Sequence, residues 1–90
     1  MNNKEVNDYW FDEIKNMTTE ELIARILFLG GNFLKLRSDA LDSYVEVNYH
    51  GWTIKASGTN IESAYRHALD GIYFVKEEFK DNTPNTIVAI

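Results

Sequence analysis

Apolar residues recur along this chain with two different periods. Near its start, Val6, Tyr9, Trp10 and Ile14 follow one another at spacings of about 3.6 residues, which predicts a short helix over residues 4–16. A helix this short is marginal alone in water, so it has to dock, on this domain or on something else. Thr18 followed three residues later by Glu21 fits a capping box, and Leu22, Ile23, Ile26 and Leu27 then form the stripe of a second helix. Gly30 and Gly31 are expected to stop it, because glycine takes up a left-handed C-terminal conformation at little cost.

From Phe33 the period changes. Phe33 to Arg37 is predicted as a strand, and residues 38–43 as a polar connection. Tyr44 to Tyr49 and Trp52 to Ser57 then flank a two-residue turn, His50-Gly51. So tight a turn sets the register. Tyr49 faces Trp52, Val47 faces Ile54 and Val45 faces Ala56, all on one apolar face. The other face pairs Asn48 with Thr53, Glu46 with Lys55 and Tyr44 with Ser57, which predicts a cross-strand ion pair between Glu46 and Lys55.

Gly58 is expected to end the sheet, with Thr59 and Glu62 as a second capping box. The helix that follows is predicted to run to about Lys80 on a core stripe that starts Ile61, Ala64, Tyr65, Ala68 and continues through Ile72, Val75 and Phe79. Leu69 and Tyr73 widen the stripe, so this helix is expected to cover the sheet and touch a second partner. Pro84 ends it, and the apolar tail Thr86 to Ile90 is expected either to add a strand to its own sheet or to pair with another chain.

The predicted class is therefore α+β: a three-stranded antiparallel β-meander with helices packed on one face, in the order α-α-β-β-β-α, with a possible short C-terminal strand. The 90 residues suit a single domain, with residues 1–17 as a docking helix, 18–80 as the core and 81–90 as a tail. A domain of this size buries roughly 60–65% of the surface its unfolded chain exposes, so a homo-oligomer is expected.

Composition narrows the chemistry. There is no cysteine, which excludes disulfides and Cys-ligated zinc. No apolar run is longer than that of Ile26 to Leu29, far shorter than the roughly 20 residues that span a bilayer. With no apolar signal region at the start, the expectation is a cytoplasmic protein that binds no membrane. The net charge is −5, with six acids against Lys4 and Lys15 in the first 21 residues. With that sign no direct nucleic-acid binding is expected, because a nucleic-acid binder collects phosphates on a basic face.

Residues 18–80 resemble the double-stranded RNA-binding domain in element order, helix, three strands, helix. Gly58-Thr59-Asn60-Ile61-Glu62-Ser63-Ala64, with Ala68 and Leu69 beyond, is similar to that family's approach to its last helix. The family grips phosphates there with lysines, whereas Asn60, Ile61 and Glu62 stand at those positions here, so the resemblance implies a layout and not RNA binding. The hairpin and helix start also look like HicB-type antitoxin domains, which implies docking on a protein or dimerisation. In type, a small acidic cysteine-free chain is similar to accessory proteins of bacteria and phages, including inhibitors of host defence.

No nucleophile elbow, zincin motif, P-loop or dinucleotide fingerprint occurs, so no enzyme and no cofactor are expected. His67 and Asp70 lie at helical spacing but are expected to be plain surface residues, and no metal site is expected. The aromatics carry more information. Tyr9, Trp10 and Phe11, flanked by Asp8, Asp12 and Glu13, are expected to bind a partner protein: the rings fill a pocket and the acids meet basic groups. Trp10→Ala is then expected to abolish binding without loss of the fold. The leading expectation is a non-catalytic small acidic interaction protein that binds and regulates or inhibits another protein. One alternative is an oligomer that holds a nucleotide-like ligand between subunits on Lys35, Arg37, Arg66 and His67. Another is an acidic mimic of DNA.

Overall fold

The computed structural model describes residues 14–39, 42–79 and 83–89. They form α1 (Thr19–Phe28), β1 (Gly31–Ser38), β2 (Ser43–Tyr49), β3 (Trp52–Gly58), α2 (Ile61–Glu78) and β4 (Thr86–Ala89). The protein is α+β, with the helices on one face of a four-stranded sheet in the order β1-β2-β3-β4. Of the helix predicted over 4–16, only the final residues are described; Ile14 is helical and buried.

The capping box of α1 forms as predicted. The Thr18 hydroxyl accepts from the Glu21 backbone N–H at 3.2 Å, and the Glu21 carboxylate accepts from the Thr18 N–H at 2.9 Å. The bond from the Thr18 backbone N–H first, and then the Thr18 hydroxyl beside the carboxylate, hold the Glu21 carboxyl below the usual carboxylate value. The helix ends at Phe28, and Gly30 follows in the left-handed region at φ +103°. Gly31 is not part of that stop. It opens β1, where a Cβ would lie 2.8 Å from Ile26 Cγ2, so its smallness lets helix and strand approach closely.

The hairpin register is the predicted one at every position: Tyr49↔Trp52, Val47↔Ile54 and Val45↔Ala56 on the helix-facing side. On the open side stand Asn48↔Thr53, Glu46↔Lys55 and Tyr44↔Ser57. His50 and Gly51 both take positive φ, 48° and 89°, as a tight right-twisting hairpin turn requires. The predicted Glu46–Lys55 ion pair does not form among the described residues. Glu46 instead accepts a hydrogen bond at 2.5 Å from the Tyr44 hydroxyl, two residues away on the same face.

α2 lies across the sheet and buries nearly all of its middle, from Ala64 and Tyr65 through Ala68–Val75. Its width follows from two neighbours: the sheet below and α1 beside it, where Arg25 donates to the Tyr73 hydroxyl at 2.6 Å. The N-cap differs from the prediction. Asn60 caps the helix by accepting from the Ser63 N–H at 2.8 Å, not Thr59 with Glu62. Glu62 is drawn sideways, accepting from Arg66 at 2.9 Å and from the Thr19 hydroxyl at 3.0 Å, and so ties the two helices together.

The tail goes to its own sheet. β4 pairs with β3 in parallel, Thr53↔Thr86 through Ala56↔Ala89, so the sheet is a meander plus one crossover strand and not a meander alone. A parallel neighbour needs a crossover connection of a dozen residues or more, and α2 supplies it. Ile87 packs against the core cluster and Ala89 is fully buried, while Val88 points to the open face.

Candidate functional site

Four exposed apolar side chains are carried by α1 and β1. Leu22 and Ile26 point into the core, but each successive helical residue turns by about 100°, so four consecutive apolar residues cannot all follow Ile26 inward. Leu27 is 52% exposed and Phe28 85%. Beside Phe28, Met17, Glu21, Ala24 and Arg25 line a shallow groove on the outer surface of α1.

On β1 the register slips between Phe33 and Lys35, where Phe33 faces Val47 and Lys35 faces Glu46. Leu34 is the extra residue of this bulge and is 52% exposed. Leu36 faces Val45 on the helix side of the sheet, yet is 57% exposed. Length explains this. A ten-residue helix runs about 15 Å, whereas an eight-residue strand runs about 26 Å. Since α1 turns back directly into β1, it covers the first half of the strand and leaves Leu36 uncovered. Among the described residues β1 is also an edge strand, with β2 its one neighbour in the sheet.

The open face of the sheet is polar by contrast. It carries Asn32, Lys35 and Arg37 from β1, Tyr44 and Glu46 from β2, and Lys55 from β3. Burial first, then the hydrogen bond to Glu46 and its charge, push the Tyr44 phenol up to about 12.

The residues expected to bind a partner, Asp8, Tyr9, Trp10, Phe11, Asp12 and Glu13, lie outside the described residues. Those expected to hold a small ligand are separated. Lys35 and Arg37 sit on the open face, and Arg37 is engaged by Asp42 at 2.9 Å and Asp39 at 3.3 Å, 5.9 Å above the Tyr44 ring. Arg66 lies in the helix layer, where it donates to Glu62 and to the Met17 carbonyl at 3.3 Å. His67, also on α2, places Nδ1 2.6 Å from the Ser57 carbonyl oxygen. The four do not share a pocket within one chain.

His67 and Asp70 were expected at the surface. His67 is half-buried and Asp70 fully buried, because α2 is covered on its flank as well as its base. Among the described residues no three His, Asp or Glu side chains come together as a metal site. No helix among them is long and apolar enough to cross a membrane.

Sequence reasoning assigned Leu27 to the core stripe and passed over Phe28, Leu34 and Leu36. The unbroken run Ile26 to Leu29 was the signal for the helical pair. Nothing in the pattern marked the bulge at Leu34.

The fold and this surface define a class: a small α+β domain with a mixed four-stranded sheet and an apolar edge beside its first helix. No family model, curated protein or solved structure matches the chain.

Proposed function

We propose that this chain is a non-catalytic, cytoplasmic interaction domain that binds and regulates another protein through the edge formed by α1 and β1. The observation that carries the reading is Phe28, 85% exposed at the end of a helix with Leu27 exposed beside it. Large exposed rings cost solvation and are the preferred anchors of protein interfaces. Glu20 and Glu21 are exposed on the same helix, and the chain carries −5 overall, so the fitting partner offers an apolar pocket bordered by basic groups. Lack of cysteine suits a reducing compartment. Binding of this kind regulates by occlusion.

The test places a photo-crosslinking residue at position 28, with a control at Thr53 on the open face, in the cells that express the chain. A discrete adduct with one other protein from position 28, absent from position 53 and lost on added Leu27→Asp, supports the proposal. A thermal melt checks that the substituted chain still folds. Adducts with a second copy of this chain alone would replace hetero-binding by self-association, and no adduct would refute both.

A further inference from the structure

A second concave surface lies at the far end of the hairpin, independent of the α1–β1 edge. The hairpin tip, the end of α2 and the approach to β4 enclose a cleft of about 230 Å³. Tyr49 and Trp52 face each other across the turn and form one wall, both nearly buried. Phe79 from the end of α2 continues it, its ring 5.4 Å from Trp52 at an interplanar angle of 34°. Phe79 is itself held edge-on by Phe74 at 5.5 Å. Pro84 closes one side. It is seated against Gly51, where a Cβ would come within 3.2 Å of it, and the next residue is fixed by a 2.9 Å bond from the Thr53 N–H to the Asn85 carbonyl. The walls therefore come from three elements bonded or packed to one another, which makes the cleft preformed.

Among the described residues, His50 and Lys76 also bring polar side chains to its lining. The His50 ring lies against Tyr49 at 4.4 Å. Lys76 is exposed and makes no ion pair among the described residues, while the next residues, Glu77 and Glu78, do not line the cleft. Aromatic side chains joined by a few polar groups are a usual build of a small-molecule site. The volume lies below the roughly 300–1,000 Å³ of sites for drug-sized ligands, so it suits a ligand of one or two rings.

We propose that this cleft binds a small planar aromatic acid, with its ring against Trp52 and Phe79 and its anionic group on the Lys76 ammonium. The aromatic wall rewards a flat apolar body. Among the described residues the charge at the cleft is that of Lys76: a cation would meet it, and the Trp52 and Phe79 rings lean on each other instead of opening into a cage around an ammonium. The net negative charge of the chain acts on a ligand only within a Debye length of about 8–10 Å, so the nearest charge decides.

The experiment is an NMR titration of the ¹⁵N-labelled full chain with indole-3-carboxylate, and in parallel with uncharged indole. The expected result is saturable movement of the Trp52 indole N–H and of the amides of residues 49–52 and 75–79. Lys76→Gln, at an exposed position, should keep the native spectrum, weaken the carboxylate about fivefold or more and leave indole unchanged. No saturable shifts with either probe overturns the proposal. So does equal affinity of the carboxylate for the original chain and Lys76→Gln, or a set of shifts centred away from the cleft.

Discussion

Tyr44 shows how one side chain reports its surroundings. Its ring lies between Arg37 and Glu46 on the open sheet face, and its hydroxyl donates to the Glu46 carboxylate. Burial, with the carboxylate beside it, favours the neutral phenol and raises its pKa from 10.0 to about 12. A raised folded-state value means that the contribution to stability is complete below pH 10 and is lost as the pH climbs through 12. Absorbance titration of the phenolates should find Tyr44 still protonated when an unperturbed tyrosine has ionised. Glu46→Gln should bring its midpoint down, and an unchanged midpoint would show that the carboxylate has no part in the shift. Gly58 illustrates the opposite case, a residue defined by lack of a side chain. A Cβ there would stand 2.6 Å from Ser63 Cβ and 2.8 Å from the Ala64 N, so the end of β3 can meet the first turn of α2 only as glycine.

At the scale of elements, both described helices begin with a side-chain cap, and in only one of them did the sequence motif name the right residue. Thr18 and Glu21 are used reciprocally. Thr59 and Glu62 have the same spacing, but Glu62 is taken by Arg66 and Thr19, and Asn60 does the capping. Local sequence offers both caps, and the helix-to-helix bonds of Glu62 favour one of them. Asn60→Ala should therefore cost about 1 kcal/mol, and Thr59→Ala should stay within about 0.5 kcal/mol of the original chain. Urea unfolding with unchanged slope measures both; equal losses would restore Thr59 as the cap. Among the strands, alternation and turn length define β2 and β3, whereas the bulge in β1 breaks its alternation and turns Leu34 outward.

At the scale of the whole molecule, the crossover through α2 returns the chain to the sheet beside β3 and makes the tail part of the core. Ala89 lies fully buried near Gly71, where a glycine Cβ would come 3.5 Å from Ala89 Cβ. Val88, one residue earlier, faces outward opposite Lys55. A carboxylate at position 89 would be buried without a built partner, a loss of several kcal/mol. Ala89→Asp should thus unfold the domain or lower its melting temperature sharply, and Val88→Lys should leave it nearly unchanged. Similar melting of the two variants would mean that β4 does not hold this register in solution. The same closure leaves α1 as the shorter cover, and the sheet edge beyond it, with Leu36, as apolar surface on the outside.

By itself the sequence determined whatever depends on neighbours a few residues apart. The class of fold, the cap of α1, the core stripe of α2 and every pair in the β2–β3 register follow from period, cap chemistry and a two-residue turn, all of which act over short stretches of chain. Tertiary structure decided the rest. The parallel seat of β4, the burial of Asp70, the use of Asn60 over Thr59 and the exposure of Phe28, Leu34 and Leu36 depend on which elements lie beside which. The cleft between Trp52, Phe79 and Lys76 belongs to that second group. Its walls are 24 to 27 positions apart in the chain and meet only because α2 runs back along β3 to the hairpin tip.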